Sequence, residues 1–231
     1  MRYKRRLLVL LLIITILGIA GCTSRDRPKN IDEILESMEN KYGEKFEYID
    51  SLEDSAAEGT SAYLVKCDSL PGKDILVNVT NSENGSYSYT DNYIDHFFEK
   101  DLLDRINEAC SAVYGNFKVF YDASNSHLSE ETELPTSFEE YMSSRKTKVV
   151  ITIILNEEND PGNKDIDYAR LEMELIAREI EPEGKIYYAS NEVYDDITKE
   201  TIDRFTEKDD WYFEVGIFII NSNDKSGIGW R

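Results

Sequence analysis

Two histidines, three cysteines and 46 carboxylates are the groups in this 231-residue chain that could carry acid–base, nucleophilic or metal chemistry. His96 stands between Asp95 and Phe97, off the apolar stripe of its helix, and His127 lies in a polar stretch. Neither has a base or nucleophile at a spacing that would make a catalytic pair, so both read as surface histidines. No GxSxG, Walker loop, Cys–His constellation or zinc-ligand spacing occurs. The carboxylates are so numerous that spacing singles out no acid–base couple; burial or a close neighbour would have to do so. Oxygen ligands crowd most densely in NEENDPGNKDID, where Glu157, Glu158, Asp160, Asn163 and Asp165 surround the Pro161–Gly162 bend. Calcium takes six to eight oxygens from such a loop, although the EF-hand pattern is absent and a solvated strand-to-helix loop accounts for the same residues.

Fifteen tyrosines are the other conspicuous feature. Tyr87, Tyr89 and Tyr93 fall along one strand of a hairpin. Such an aromatic face either binds a partner or packs into the core with its phenol oxygens at the rim. Cys67 shares a strand face with Tyr63 and Val65, and Cys110 shares a helix face with Ile106 and Val113, so both thiols point inward. A Cys67–Cys110 disulfide and two buried free thiols are both open readings.

Hydrophobic periodicity supplies the elements that must position these groups. Asn30 and Glu33 open a helix carrying Ile31, Ile34, Leu35, Met38 and Tyr42, and Gly43 ends it. Strands follow at 46–51, 62–68 and 74–81. In ILVNVTNSENGSYSYTDNY, a three-residue loop over Glu83–Gly85 sets Val79 opposite Tyr89 and Ile75 opposite Tyr93, keeping apolar residues on one face. Asn92 caps a long helix with Ile94, Phe98, Leu102, Ile106, Cys110 and Val113 inward, and 117–122 is a strand. Residues 123–136 form a polar excursion or linker. Ser137 and Glu140 make a capping box, and KVVITIILN (148–156), apolar on both faces, predicts a central strand. Ile166, Ala169, Met173, Ile176 and Ile180, joined by Leu171 and Leu175, make the next helix. A strand over 185–190, a helix anchored by Ile202 and Phe205, and a strand over 211–221 complete the chain. The class is α+β: antiparallel or mixed sheets packed by amphipathic helices, with 30–122 and 137–231 as two regions packed in one unit.

The first thirty residues carry a different signal. MRYKRR is basic, and Leu7 to Ala20 is uncharged with only Thr15 hydroxylated. Fourteen residues rise about 21 Å as a helix, short of the hydrocarbon core of about 30 Å, so the pattern suits a signal peptide better than a membrane span. Ile19-Ala20-Gly21-Cys22 follows, and this run resembles the lipobox of bacterial lipoproteins. The resemblance implies cleavage after Gly21 and a diacylglycerol thioether on Cys22. It thereby implies a signal peptide over 1–21, a lipidated tether over 22–29 and attachment at the extracytoplasmic face of the cell membrane.

Charge divides along the same line. The whole chain carries −20, and residues 30–231 alone carry −26, because the signal and the tether are both basic. A basic stub is attracted to an anionic leaflet, whereas an acidic body repels headgroups and nucleic acid. The order of helix and strands over 30–122 resembles cystatin-like domains, in which a helix packs on a curved antiparallel sheet, and that resemblance implies binding. The expectation is a lipid-anchored extracytoplasmic binding or interaction protein with no cofactor, no nucleic-acid partner and a membrane contact through Cys22. An enzyme using carboxylates and a calcium-stabilised module are the alternatives.

Overall fold

The structure, a computed structural model, describes residues 30–52, 60–82, 86–123, 128–129, 132–144, 149–159, 161–208, 210–221 and 226–231. The signal peptide, the tether with Cys22, His127, Asp160 and the hairpin loop 83–85 lie outside them. The fold is α+β, with two five-stranded sheets.

Helix α1 (Ile31–Tyr42) buries Ile31, Ile34, Leu35 and Met38, and ends at Gly43, whose left-handed φ of 74° lets its N–H reach the Glu39 carbonyl at 2.8 Å. Asn30 makes no side-chain cap, contrary to expectation. The first sheet runs β1 (Phe46–Ser51), β2 (Thr60–Cys67), β3 (Ile75–Asn81), β4 (Tyr87–Asp91) and β6 (Leu128–Ser129), all antiparallel. Val79 pairs with Tyr89 and the Ser82 N–H donates to the Ser86 carbonyl at 2.8 Å, which is the register of a three-residue loop. Pairing stops at Val77–Asp91, so Tyr93 does not face Ile75 on a strand; it opens a helix instead.

That helix is broken. α2 (Tyr93–Phe97) and α3 (Glu99–Ser111) are separated at Phe98. The Asn92 side chain does not cap: its Oδ1 accepts from the Leu76 N–H at 2.8 Å and its Nδ2 donates to the Ala123 carbonyl at 3.2 Å. The carboxylate of Asp91 takes over, accepting from the Tyr93 N–H at 3.0 Å.

The second sheet has the order β10-β9-β8-β7-β5, formed by β5 (Phe117–Asp122), β7 (Val149–Asn156), β8 (Pro182–Ala189), β9 (Tyr212–Ile219) and β10 (Gly227–Trp230). β7 is an interior strand next to the edge strand β5, with β8 rather than β7 at the centre, and β7–β8 is the one parallel pair of this sheet among the described residues, bridged by helix α5 (Lys164–Ile176). The division into regions at 122 is not a division between sheets. β5 precedes the excursion yet joins the second sheet, and β6 within the excursion returns to the first. One contiguous cluster of buried side chains accordingly draws on both sheets and on α1, α2, α3, α4 (Phe138–Ser144) and α5.

Helix α5 is rotated from its expected orientation. It buries Tyr168, Leu171 and Leu175, while Ile166 and Met173 are each 64% exposed. Its apolar residues are spread over two faces, and the 168–171–175 face includes a tyrosine whose hydroxyl donates to the Gly227 carbonyl at 3.2 Å. Polar anchoring combined with burial outweighs the more aliphatic stripe.

Candidate functional site

The second sheet has two covered faces, but one only in part. Ile151, Ile153, Leu155, Ile186, Tyr188 and Phe218 face the main core. On the opposite face, Ile154, Tyr187 and Ala189 form a smaller cluster with Tyr194, Ile197 and Phe205. These last three come from the segment 190–211, which carries short helices α6 (Asn191–Tyr194) and α7 (Ile202–Thr206). The segment covers one end of the sheet and leaves the other open as a groove of about 840 Å³.

Strand register fixes the groove floor. Phe120, Thr152, Lys185, Ile217 and Gly229 stand side by side across the five strands, and Asp122, Val150, Glu183, Ile219 and Gly227 form the next row. The four strands that line the groove, β5, β7, β8 and β9, span three strand spacings, about 14 Å, and the glycines of β10 continue the face to the sheet edge. Ile202, Asp203 and Thr206 of α7 form one wall, and Glu99, Leu103 and Lys199 close the β5 end. Ile217 and Ile219 remain 41% and 43% exposed. At β10 only glycines face this side, so that end has no wall. The volume lies within the range of small-molecule sites, and the lining is mainly apolar with a few polar groups.

Two devices hold the groove in shape. Gly184 sits where β8 passes β7, and a Cβ there would lie 1.8 Å from the Ile151 carbonyl oxygen. Lys118 donates to the carbonyls of Tyr194, Asp195 and Ile197 at 2.6, 3.2 and 2.9 Å, tying the covering segment to β5.

Glu99 anchors the closed end. Its carboxylate accepts from Lys73 at 2.6 Å and from Lys199 at 3.2 Å, and it lies 3.2 Å from Nδ1 of His96. Burial opposes its ionisation, but the hydrogen bonds from His96 and Lys73 and the charge of Lys199 outweigh it and bring its pKa down to about 2. His96 is therefore not a surface residue: its side chain is 10% exposed and its Nε2 is buried without a partner among the described residues. The i,i+3 spacing of His96 and Glu99 was the available signal for this pair, and its significance depended on burial.

The other expected residues are not assembled into a site. Tyr89 and Tyr93 are buried, with hydroxyls on Ser37 (3.0 Å) and Glu44, and the half-buried Tyr87 donates to Glu33 at 3.2 Å. They pack in the core with oxygens at the rim, which removes the exposed platform. Glu157 accepts from the Asn191 N–H at 2.7 Å, Glu158 from Asn116, and Asp165 from Trp230 Nε1 at 2.9 Å. Each carboxylate thus serves a different structural partner, and among the described residues no cluster of three or more His, Cys, Asp or Glu could hold a metal ion. Cys67 and Cys110 are free and buried, which is the second of the two open readings. Burial pushes the Cys110 thiol up to about 12, and both cysteines behave as small apolar residues. No helix among the described residues is long and apolar enough to cross a membrane.

No protein family matches the sequence, and no curated protein matches it. A solved structure similar to this chain is that of a DUF5037 family protein from Ruminococcus gnavus ATCC 29149, with 15% identity, a TM-score of 0.44, and coverage of 84% of this chain and 92% of the other.

Proposed function

We propose that this chain is a lipid-anchored, extracytoplasmic binding protein that holds its ligand in the groove on the outer face of the second sheet. The observation that carries the reading is the half-covered sheet: a floor of mixed apolar and polar residues about 14 Å across, with two isoleucines more than a third exposed, walled by a segment fixed in place by Lys118. A sheet face exposed by design rather than by lack of a cover suits a ligand that completes the burial.

The anchor is a separate component of the proposal. The n-region, h-region and Ile19-Ala20-Gly21-Cys22 run support lipidation of Cys22, and the basic tether supports a position close to the leaflet. The strongly acidic body supports a partner other than nucleic acid, a cell-envelope component or another protein.

Two experiments test the components independently. Cys22→Ser in the full chain should abolish incorporation of labelled palmitate and release the protein from membranes; retention of both label and membrane association would refute the anchor. Native mass spectrometry of protein extracted from membranes should show a bound molecule that Ile219→Lys removes. A bound molecule unaffected by Ile219→Lys would place the site elsewhere.

A further inference from the structure

The groove floor has a polar centre. Thr152 and Lys185 are cross-strand neighbours on β7 and β8, and Phe120 and Ile217 flank them in the same row. Lys185 is exposed into the groove, and neither it nor the Thr152 hydroxyl has a side-chain hydrogen bond or ion pair among the described residues. Beyond Ile217 the row ends at Gly229, and in the next row Ile219 ends at Gly227, so past β8 the described residues of this face toward the β10 edge are two isoleucines and two glycines. The distance from β8 to β10 is two strand spacings, about 10 Å.

We propose that the groove takes an amphiphile with a single carboxylate head, the carboxylate on Lys185 Nζ and Thr152 Oγ1 and the hydrocarbon chain lying over Ile217 and Ile219 toward the β10 edge. This rests on the groove being the binding site and adds the class of ligand. An ammonium and a hydroxyl borne by cross-strand neighbours can offer two donors to the two oxygens of one carboxylate. The rim acids Asp122, Glu183 and Asp203 face the same groove. Repulsion from carboxylates grows with the charge on the head while Lys185 offers one ammonium, which favours a singly charged carboxylate over a phosphate monoester. The chain meets two isoleucines whose exposure it would remove, and the two glycines let it leave the floor without a step.

Calorimetric titration with decanoate, decylammonium, decyl phosphate and acetate, each kept below its micelle concentration, tests the assignment on the full chain. Saturable one-site binding of decanoate is expected, with Lys185→Met weakening it about tenfold or more and decylammonium, decyl phosphate and acetate binding weaker still. Ile217→Ser is expected to weaken decanoate while leaving the melting temperature near wild type. Equal binding of decylammonium or decyl phosphate, or unchanged decanoate affinity in Lys185→Met, would overturn the head-group assignment. Absence of saturable decanoate binding to the wild-type protein would overturn the ligand class altogether. In that case a molecule that co-purifies from membranes and is lost in Ile219→Lys would still uphold the groove, so the two readings fail separately.

Discussion

The ammonium of Lys118 and the backbone of Tyr194 meet across 76 residues of sequence: Nζ donates to the Tyr194 carbonyl at 2.6 Å while lying 4.7 Å from the centre of the same residue's ring. With the further bonds to Asp195 and Ile197, one lysine at the end of α6 satisfies three carbonyls and holds the groove wall to strand β5. Lys118→Met is expected to cost about 1.5–3 kcal/mol in chemical denaturation and to speed amide exchange across residues 194–201. Unchanged protection of that segment would show that the apolar cluster alone holds the wall.

Gly184 and Gly216, two of the glycines of the second sheet, should respond differently to the same substitution. In Gly184→Ala the new Cβ meets the Ile151 carbonyl oxygen at 1.8 Å, a backbone atom that cannot give way without breaking the β7–β8 pairing. A loss of about 3 kcal/mol or more is expected. In Gly216→Ala the nearest atoms are side-chain carbons of Trp230 and Ile228 at 2.5 and 2.6 Å, both on the edge strand β10. About 1–2 kcal/mol and a shift in Trp230 fluorescence are expected. Thermal denaturation of both variants that gave equal losses would contradict the assignment.

Glu99 supplies an acid-sensitive latch at the closed end of the groove. Its folded pKa, about 2, is below the ordinary glutamate value of 4.5, so its contribution is complete above pH 4.5 and is lost as pH falls toward 2. The shift corresponds to a contribution on the order of 3 kcal/mol. Glu99→Gln should lose that amount at pH 7 and show a flatter stability profile between pH 4.5 and 2. A variant profile parallel to wild type through that window would assign the acid transition to other groups.

Asp91 has the opposite sign. Burial raises its pKa and Asp95 adds to the rise, against the charge of Lys41 and the hydrogen bonds from the Tyr42 hydroxyl and the Tyr93 N–H. Its Oδ2 is buried without a partner among the described residues. A raised folded pKa makes the contribution greatest below the unfolded value and diminishes it as pH rises through the folded one. Asp91→Asn keeps an acceptor for Tyr42 and Tyr93, so equal or greater stability than wild type is expected at pH 7. Urea titration at pH 4 and pH 7 checks it; a variant less stable at both would contradict the account.

The sequence carried much of the fold because those elements obey a single period. The α1 stripe, the 46–51 and 117–122 strands, the Val79–Tyr89 register and the interior place of β7 all follow from one-face or two-face apolar patterning. Where two patterns compete, the reading slips. α5 has apolar residues on two faces and buries the one with Tyr168, and the Asn92 cap yields to Asp91 because Asn92 bridges β3 to Ala123. β10 is four residues, two of them glycine, and carries too little periodicity to be seen. The groove was illegible for a deeper reason. Its floor is a set of cross-strand neighbours from 120, 152, 185 and 217, and the parallel β7–β8 pairing that brings them together leaves no local trace. The exposure of Ile217 depends on how far the segment 190–211 extends over the sheet, which is set by Lys118 and the tertiary packing around Phe205.

The central claim is that the molecule binds through this groove, and isoleucine methyl NMR tests it most directly. Ile202, Ile217 and Ile219 line the groove, whereas Ile49 and Ile166 are exposed elsewhere and Ile31, Ile34 and Ile106 are in the core. On adding a cell-envelope extract to the methyl-labelled protein, shifts confined to Ile202, Ile217 and Ile219 are the predicted result. Shifts centred on Ile49 or Ile166, with the groove methyls unmoved, would contradict it.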